Sequence, residues 1–191
     1  MRAQMAQYMR DSFDNQQCVL MDATPIVCHS KNIGLAQQGY NSRMNFDTQF
    51  TWLYLYSAKT MEPLFFRIIP GNVREISGMK NTVKESGLTD CIFIADKGFY
   101  SESNKKELVQ LGLPFIIPLK RNNASVDYNK LPCMDASTMY FSFRKRPVFF
   151  HQQSTASEVP NEKLCLFLDG ALKEQERQDY LRRIGEEPEE C

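Results

Sequence analysis

Residues 91–104 read Cys91-Ile92-Phe93-Ile94-Ala95-Asp96-Lys97-Gly98-Phe99-Tyr100-Ser101-Glu102-Ser103-Asn104, and their reading decides the fold class. Cys91–Ala95 is a nearly pure apolar run of strand length, as expected for a central strand covered on both faces. It ends at an acid, Asp96. Ser101-Glu102-Ser103-Asn104 has the composition of a helix start; Leu108, Val109 and Leu111 supply its apolar stripe and Gly112 ends it. Pro114–Leu119 (PFIIPL) reads as a further short strand.

Working upstream, Ile76, Met79 and Val83 have helical spacing and stop at Gly87. Pro70-Gly71-Asn72 breaks the chain before them. Gln49–Ser57 (QFTWLYLYS) and Pro63–Ile69 (PLFFRII) are aromatic and β-branched enough for strands, and the five residues between them suggest a hairpin. Ile33–Asp47, with two glycines and several Asn and Gln, reads as a loop. Cys18-Val19-Leu20-Met21 is a first strand that ends at Asp22. The order β-β-β-α-β-α-β implies an α/β fold with a mixed sheet flanked by helices. Beyond Arg121 the character changes. Residues 122–137 are polar and turn-rich, Met139–Phe143, Pro147–His151 and Lys163–Leu168 are candidate strands, residues 152–161 read as a polar connector, and Lys173–Glu187 is a charged helix. The expected organisation is an arm or helix over 1–17, a core over 18–121, a small β-rich insertion over 122–172, and a charged helix and tail over 173–191.

The 191 residues are 42% hydrophobic and 24% charged, which fits a folded chain able to bury a core. No apolar run approaches the ~18 residues of a membrane span, and the first thirty residues lack the pattern of a secretory signal. Six cysteines without a C-x-x-C pair, beside only two histidines, His29 and His151, read as free thiols of a reducing cytosol and not as a zinc site. The net charge of zero hides an asymmetry. Residues 158–191 hold ten acids and five bases, so residues 1–157 carry a net +5, compatible with a polyanionic partner.

Asp22 and Asp96 each follow an apolar strand. Ligands of open sheets with parallel strands bind beyond the strands' carboxyl ends. Two carboxylates there, on neighbouring strands, suit a shared Mg²⁺, and a metal pair would clamp the attacking and leaving oxygens of a phosphoryl transfer. The same residues also suit simple turn caps.

Asp22-Ala23-Thr24, Pro70-Gly71-Asn72 and Ala95-Asp96-Lys97-Gly98-Phe99-Tyr100-Ser101 form an ordered series. The last block resembles the A-D-[RK]-G-F-Y-S block of DDE transposases. With Gly39-Tyr40-Asn41, the strands from Gln49 and Pro63, and Ile116-Ile117-Pro118-Leu119-Lys120-Arg121, the series is similar to the insertion-sequence-four superfamily, in the branch with an insertion after the fifth strand. The resemblance spans about residues 18–187. It implies a ribonuclease-H-like core in which three acids bind two divalent metals, Mg²⁺ or Mn²⁺, for DNA strand cleavage and strand transfer. Asp22 matches the first acid and Asp96 the second. Tyr180, Arg183 and Glu187 match the start of the pattern around the third, but the pattern's lysine would fall at position 194 and Pro188 stops the helix. The expectation is a truncated copy in which Glu187 is a weak candidate for the third acid.

The partners so implied are DNA, as transposon ends and target, and a second copy of the chain on DNA, with no membrane. The place implied is the cytoplasm, at the nucleoid of a prokaryote. Lys97, Lys120, Arg121 and the run Arg144-Lys145-Arg146 are candidate phosphate contacts, or solvated surface charge. Phe99 and Tyr100 are candidates for base stacking or for the core, and Trp52 reads as core. Two other readings stay open: an inactive remnant serving at most as a DNA-binding or interaction module, and an unrelated metal-dependent nuclease.

Overall fold

A computed structural model of the chain describes residues 2–11, 18–40, 46–130, 139–154, 159 and 161–185. The chain divides into two units, Met1–Lys120 and Arg121–Cys191.

The first unit holds helix α1 (Arg2–Asp11), strands β1 (Cys18–Val27), β2 (Gln37–Tyr40), β3 (Phe46–Ser57) and β4 (Pro63–Pro70), helix α2 (Glu75–Ser86), strand β5 (Ile92–Ala95), helix α3 (Glu102–Gln110) and the short strand β6 (Phe115–Ile116). These six strands form one mixed sheet in the order β2-β3-β1-β5-β6, with β4 also paired to β3. β1 lies between antiparallel β3 and parallel β5, and β5 is parallel to β6. The mixed α/β architecture read from the sequence is present.

Several boundaries differ from the sequence reading; β3, for one, begins at Phe46, inside the stretch read as loop. β1 does not end at Asp22 but runs on to Val27, held by β3 through the pair Val27↔Gln49. Its pairing with β5 does stop at Met21↔Ala95. Pro25, which has no N–H to give a ladder, therefore sits where β1 has β3 alone as its paired neighbour. The polar segment Gln37–Tyr40, read as loop, is strand β2. It pairs with the first residues of β3, from Gln37↔Gln49 to Tyr40↔Phe46. The apolar run from Pro114 yields only the two-residue strand β6.

One sheet face makes the core. Val19 and Met21 of β1, Leu53 and Leu55 of β3, Leu64, Phe65 and Ile69 of β4, and Phe93 and Ala95 of β5 are buried there. α2 adds Met79 and Val83, and α3 adds Leu108. Gly78 permits the close approach of α2, since a Cβ at that position would stand 2.5 Å from Leu53 Cδ1. Glu107 of α3 takes Lys80 and Lys84 of α2 at 2.6 and 2.7 Å, a clip between the two helices. The left-handed Gly87 closes α2, and the Ser101 hydroxyl caps α3 by accepting the Asn104 N–H at 3.0 Å.

The second unit contains a three-stranded antiparallel sheet, β7 (Tyr140–Phe143), β8 (Arg146–Ser154) and β9 (Lys163–Asp169), followed by helix α4 (Gly170–Gly185). β8 continues to Ser154, into the stretch read as a connector, because β9 pairs with it through Ser154↔Lys163. The Asp169 carboxylate accepts the Ala171 and Leu172 N–H groups and so starts α4. Among the described residues, no helix is long and apolar enough to cross a membrane.

Candidate active site

Side chains alternate across a sheet, so burying Val19 and Met21 sends Asp22 to the opposite face. Tyr54 is its partner on β3, and Trp52 and Tyr56 flank Tyr54 on the same face. Trp52 is thus not a core residue. It is 43% exposed and packs edge-on against Tyr54 and Phe66.

The parallel register sets the two aspartates. Met21↔Ala95 is the last pair of β1 with β5, and the next residues along the two strands are Asp22 and Asp96. Asp22 is held in two ways: Oδ1 accepts the Ala23 N–H at 2.8 Å, and Oδ2 accepts the Tyr54 hydroxyl at 2.9 Å. Burial, followed by the bond to Asp22 and its charge, pushes the Tyr54 hydroxyl pKa up, so Tyr54 stays a donor. Asp96 Oδ1 accepts the Lys97 N–H at 2.6 Å at the start of a 3₁₀ turn, Lys97–Phe99. Both aspartates are exposed.

A third carboxylate lies in reach of their field. Glu75, the first residue of α2, is half-buried; burial first, then the charges of Asp22 and Asp96, raise its pKa. The sequence reading missed it. Acids are ordinary in a helix's first turn, and only the packing of α2 brings this one near the pair. Its folded pKa is raised, so the folded state gains from its protonation. Glu75 therefore favours folding most at pH below its unfolded value, and that contribution fades as pH climbs through the folded one. In metal-free protein, Glu75→Gln should raise the thermal midpoint at pH 7, and the gain should shrink as the pH is taken towards 4. A gain that grows on acidification in calorimetric scans would contradict this arrangement.

The remaining candidates fall in separate places. In the first unit Lys97 and Lys120 are exposed. Phe99 is buried in the core, whereas the Tyr100 hydroxyl donates to Glu102 at 2.6 Å. In the second unit Arg121 is bound to Glu176 at 2.7 Å, and Arg146 faces Asp169 at 3.5 Å. Arg144 and Lys145 form the tight turn of the β7–β8 hairpin, both with positive φ, and Arg144 lies over the Phe143 ring. His29 is exposed and His151 half-buried in β8. Cys18, Cys28, Cys91 and Cys165 carry free thiols, the buried Cys91 with its pKa pushed to about 11. Glu187, Cys133 and Cys191 lie outside the described residues.

Residues 14–177 match the family described as the transposase DDE domain. The chain belongs to that family. It is a family of DNA-cleaving and DNA-transferring enzymes that work in DNA transposition with divalent metals. Among solved structures, this DDE domain is similar to the piggyBac transposase in a synaptic complex with hairpin DNA, at 13% identity and a TM-score of 0.44 over 81% of this chain and 33% of that one. It is also similar to the Mos1 transposase in a paired-end complex with the left transposon end, at 14% identity and a TM-score of 0.37 over 59% of this chain and 38% of that one. The matched part of this chain thus spans 33% of the first and 38% of the second. No curated protein matches it.

The donor set suits a hard divalent cation. Two exposed carboxylates, Asp22 within β1 and Asp96 directly after the adjacent β5, would offer oxygen ligands, and Mg²⁺ keeps several waters on such a platform. Among the described residues no group of three acids, histidines or cysteines stands close enough to hold an ion.

Proposed function

We propose that this chain is the catalytic portion of a DDE transposase of the insertion-sequence-four type, with a ribonuclease-H-like core. Its substrate is DNA, as transposon ends and target, and the reaction is strand cleavage followed by strand transfer. Asp22 and Asp96 hold the divalent metals, Mg²⁺ or Mn²⁺. The single observation that carries this reading is the parallel β1–β5 register, which ends on Met21↔Ala95 and leaves the two aspartates as neighbours in a chain of this family.

A bound divalent metal supplies activation of water or a 3′-hydroxyl and neutralises phosphate charge. The chain's own side chains do the positioning. Tyr54 and the Ala23 amide fix the Asp22 carboxylate, and the Lys97 amide fixes that of Asp96. Lys97 and Lys120 are proposed phosphate contacts in the first unit, and Arg144 and Lys145 in the second. Arg121 and Arg146, with their carboxylate partners, would have to exchange an ion pair for a phosphate.

The test is calorimetric titration of Mn²⁺ into the wild type and into Asp22→Asn/Asp96→Asn, with plasmid nicking assayed on the same samples. Binding and nicking should both be lost in the double variant. Equal Mn²⁺ binding by the two proteins would overturn the assignment of the site.

A further inference from the structure

Asn104 is the third residue of α3 and is only 5% exposed. Its side-chain amide donates to two carbonyls on other elements, Ile76 O at 3.0 Å and Phe99 O at 2.9 Å. Ile76 directly follows Glu75 in the first turn of α2. Phe99 ends the 3₁₀ turn that Asp96 begins, and its N–H bonds back to the Asp96 carbonyl at 3.0 Å. Phe99 is itself anchored in the core, 2% exposed. One buried amide thus ties the segment that carries Asp96 to the helix end that carries Glu75. Asn104 is held in place for this by its own N–H on the Ser101 hydroxyl.

We infer that Asn104 is a positioning residue for the metal site. It sets the spacing between the Asp96 turn and the first turn of α2, and so aims the Asp96 carboxylate beside Asp22. The inference rests on Asp22 and Asp96 being the metal ligands. A side chain that merely glued α2 to α3 would be equivalent to the clip made by Glu107 with Lys80 and Lys84, which joins the same helices away from the aspartates. The two can be told apart. A partner that orients a ligand changes metal affinity when removed, typically 10–100-fold. A remote clip changes stability alone.

The experiment is titration of Mn²⁺ into the wild type, Asn104→Ala, Glu107→Gln and Asp22→Asn/Asp96→Asn, each with its thermal midpoint measured. Asn104→Ala should bind Mn²⁺ about tenfold more weakly, while Glu107→Gln loses stability and keeps its Mn²⁺ affinity. Wild-type affinity in Asn104→Ala, with binding abolished in the double aspartate variant, overturns the role of Asn104 and leaves the site intact. Wild-type affinity in the double aspartate variant, or no binding by the wild type, overturns the site and this role with it. In case Asn104→Ala does not fold, the side-chain amide resonances of Asn104 are followed in wild-type protein during a Mg²⁺ titration. They should shift as the site fills; resonances that stay still at saturation overturn the role.

Discussion

Replacing Asp96 by Asn should lower Mg²⁺-dependent nicking by about a thousandfold or more while leaving the fold intact. The asparagine carbonyl can still accept the Lys97 N–H that the carboxylate accepts at 2.6 Å, so the 3₁₀ turn keeps its cap. Asp96 is exposed and contributes nothing to the core, so the thermal midpoint should barely move. What is lost, on the proposed assignment of the site, is a negative oxygen ligand directly after β5, beside Asp22 of β1. Metal-based stabilisation of transition-state charge is worth several kcal/mol, and a thousandfold corresponds to about 4 kcal/mol. The measurement is the initial rate of supercoiled-plasmid relaxation at saturating Mg²⁺, beside a thermal scan. Undiminished nicking by purified Asp96→Asn would remove Asp96 from the reaction altogether.

The second large effect is one of stability. Gly71→Ala should cost about 3 kcal/mol, the upper end of what overpacking usually costs. A Cβ at Gly71 would stand 2.1 Å from Gln49 O and 2.4 Å from Gln37 O, both backbone atoms of paired strands that cannot swing aside. Gly71 sits just beyond β4, where β2 and β4 each pair with β3, and Gly39 presses on it from β2: a Cβ there would be 1.8 Å from Gly71 O. For a chain of this size the loss lowers the midpoint by roughly 6–12 °C. Gly34→Ala is the control, since a Cβ at Gly34 meets nothing within 4 Å. Equal midpoints for the two variants would mean that β2 does not close against Gly71 in solution.

Pro70-Gly71-Asn72 was legible as a chain break, but the reason for its glycine was not. Glycine marks a turn in any sequence; only the approach of Gln37 and Gln49 from distant positions shows that this one is required by close backbone contact. The same holds for Gln37–Tyr40. Its residues are polar and carry no strand period, and it becomes β2 because β3 offers it an edge. Trp52 was misplaced for a related reason. Its strand was evident from composition, but which face turned inward depended on Leu53 and Leu55 being buried, Leu53 beneath Gly78 of α2.

By itself the sequence determined the alternation of strands and helices from Gln49 to Gln110 and the caps at Ser101 and Gly87, while Asp22 and Asp96 stood out as acids after apolar runs and became the acids to watch only once the resemblance to DDE transposases was added. These are local properties: apolar period, capping chemistry and an acid at the end of an apolar run. Tertiary structure decided the rest. It carried β1 past Asp22, set the parallel register that makes the two aspartates neighbours, brought Glu75 into their field, and spent the buried Asn104 amide on two carbonyls from other elements. The physical reason is that pairing, burial and charge act between residues far apart in the chain, and these distances come into being only when the sheet closes.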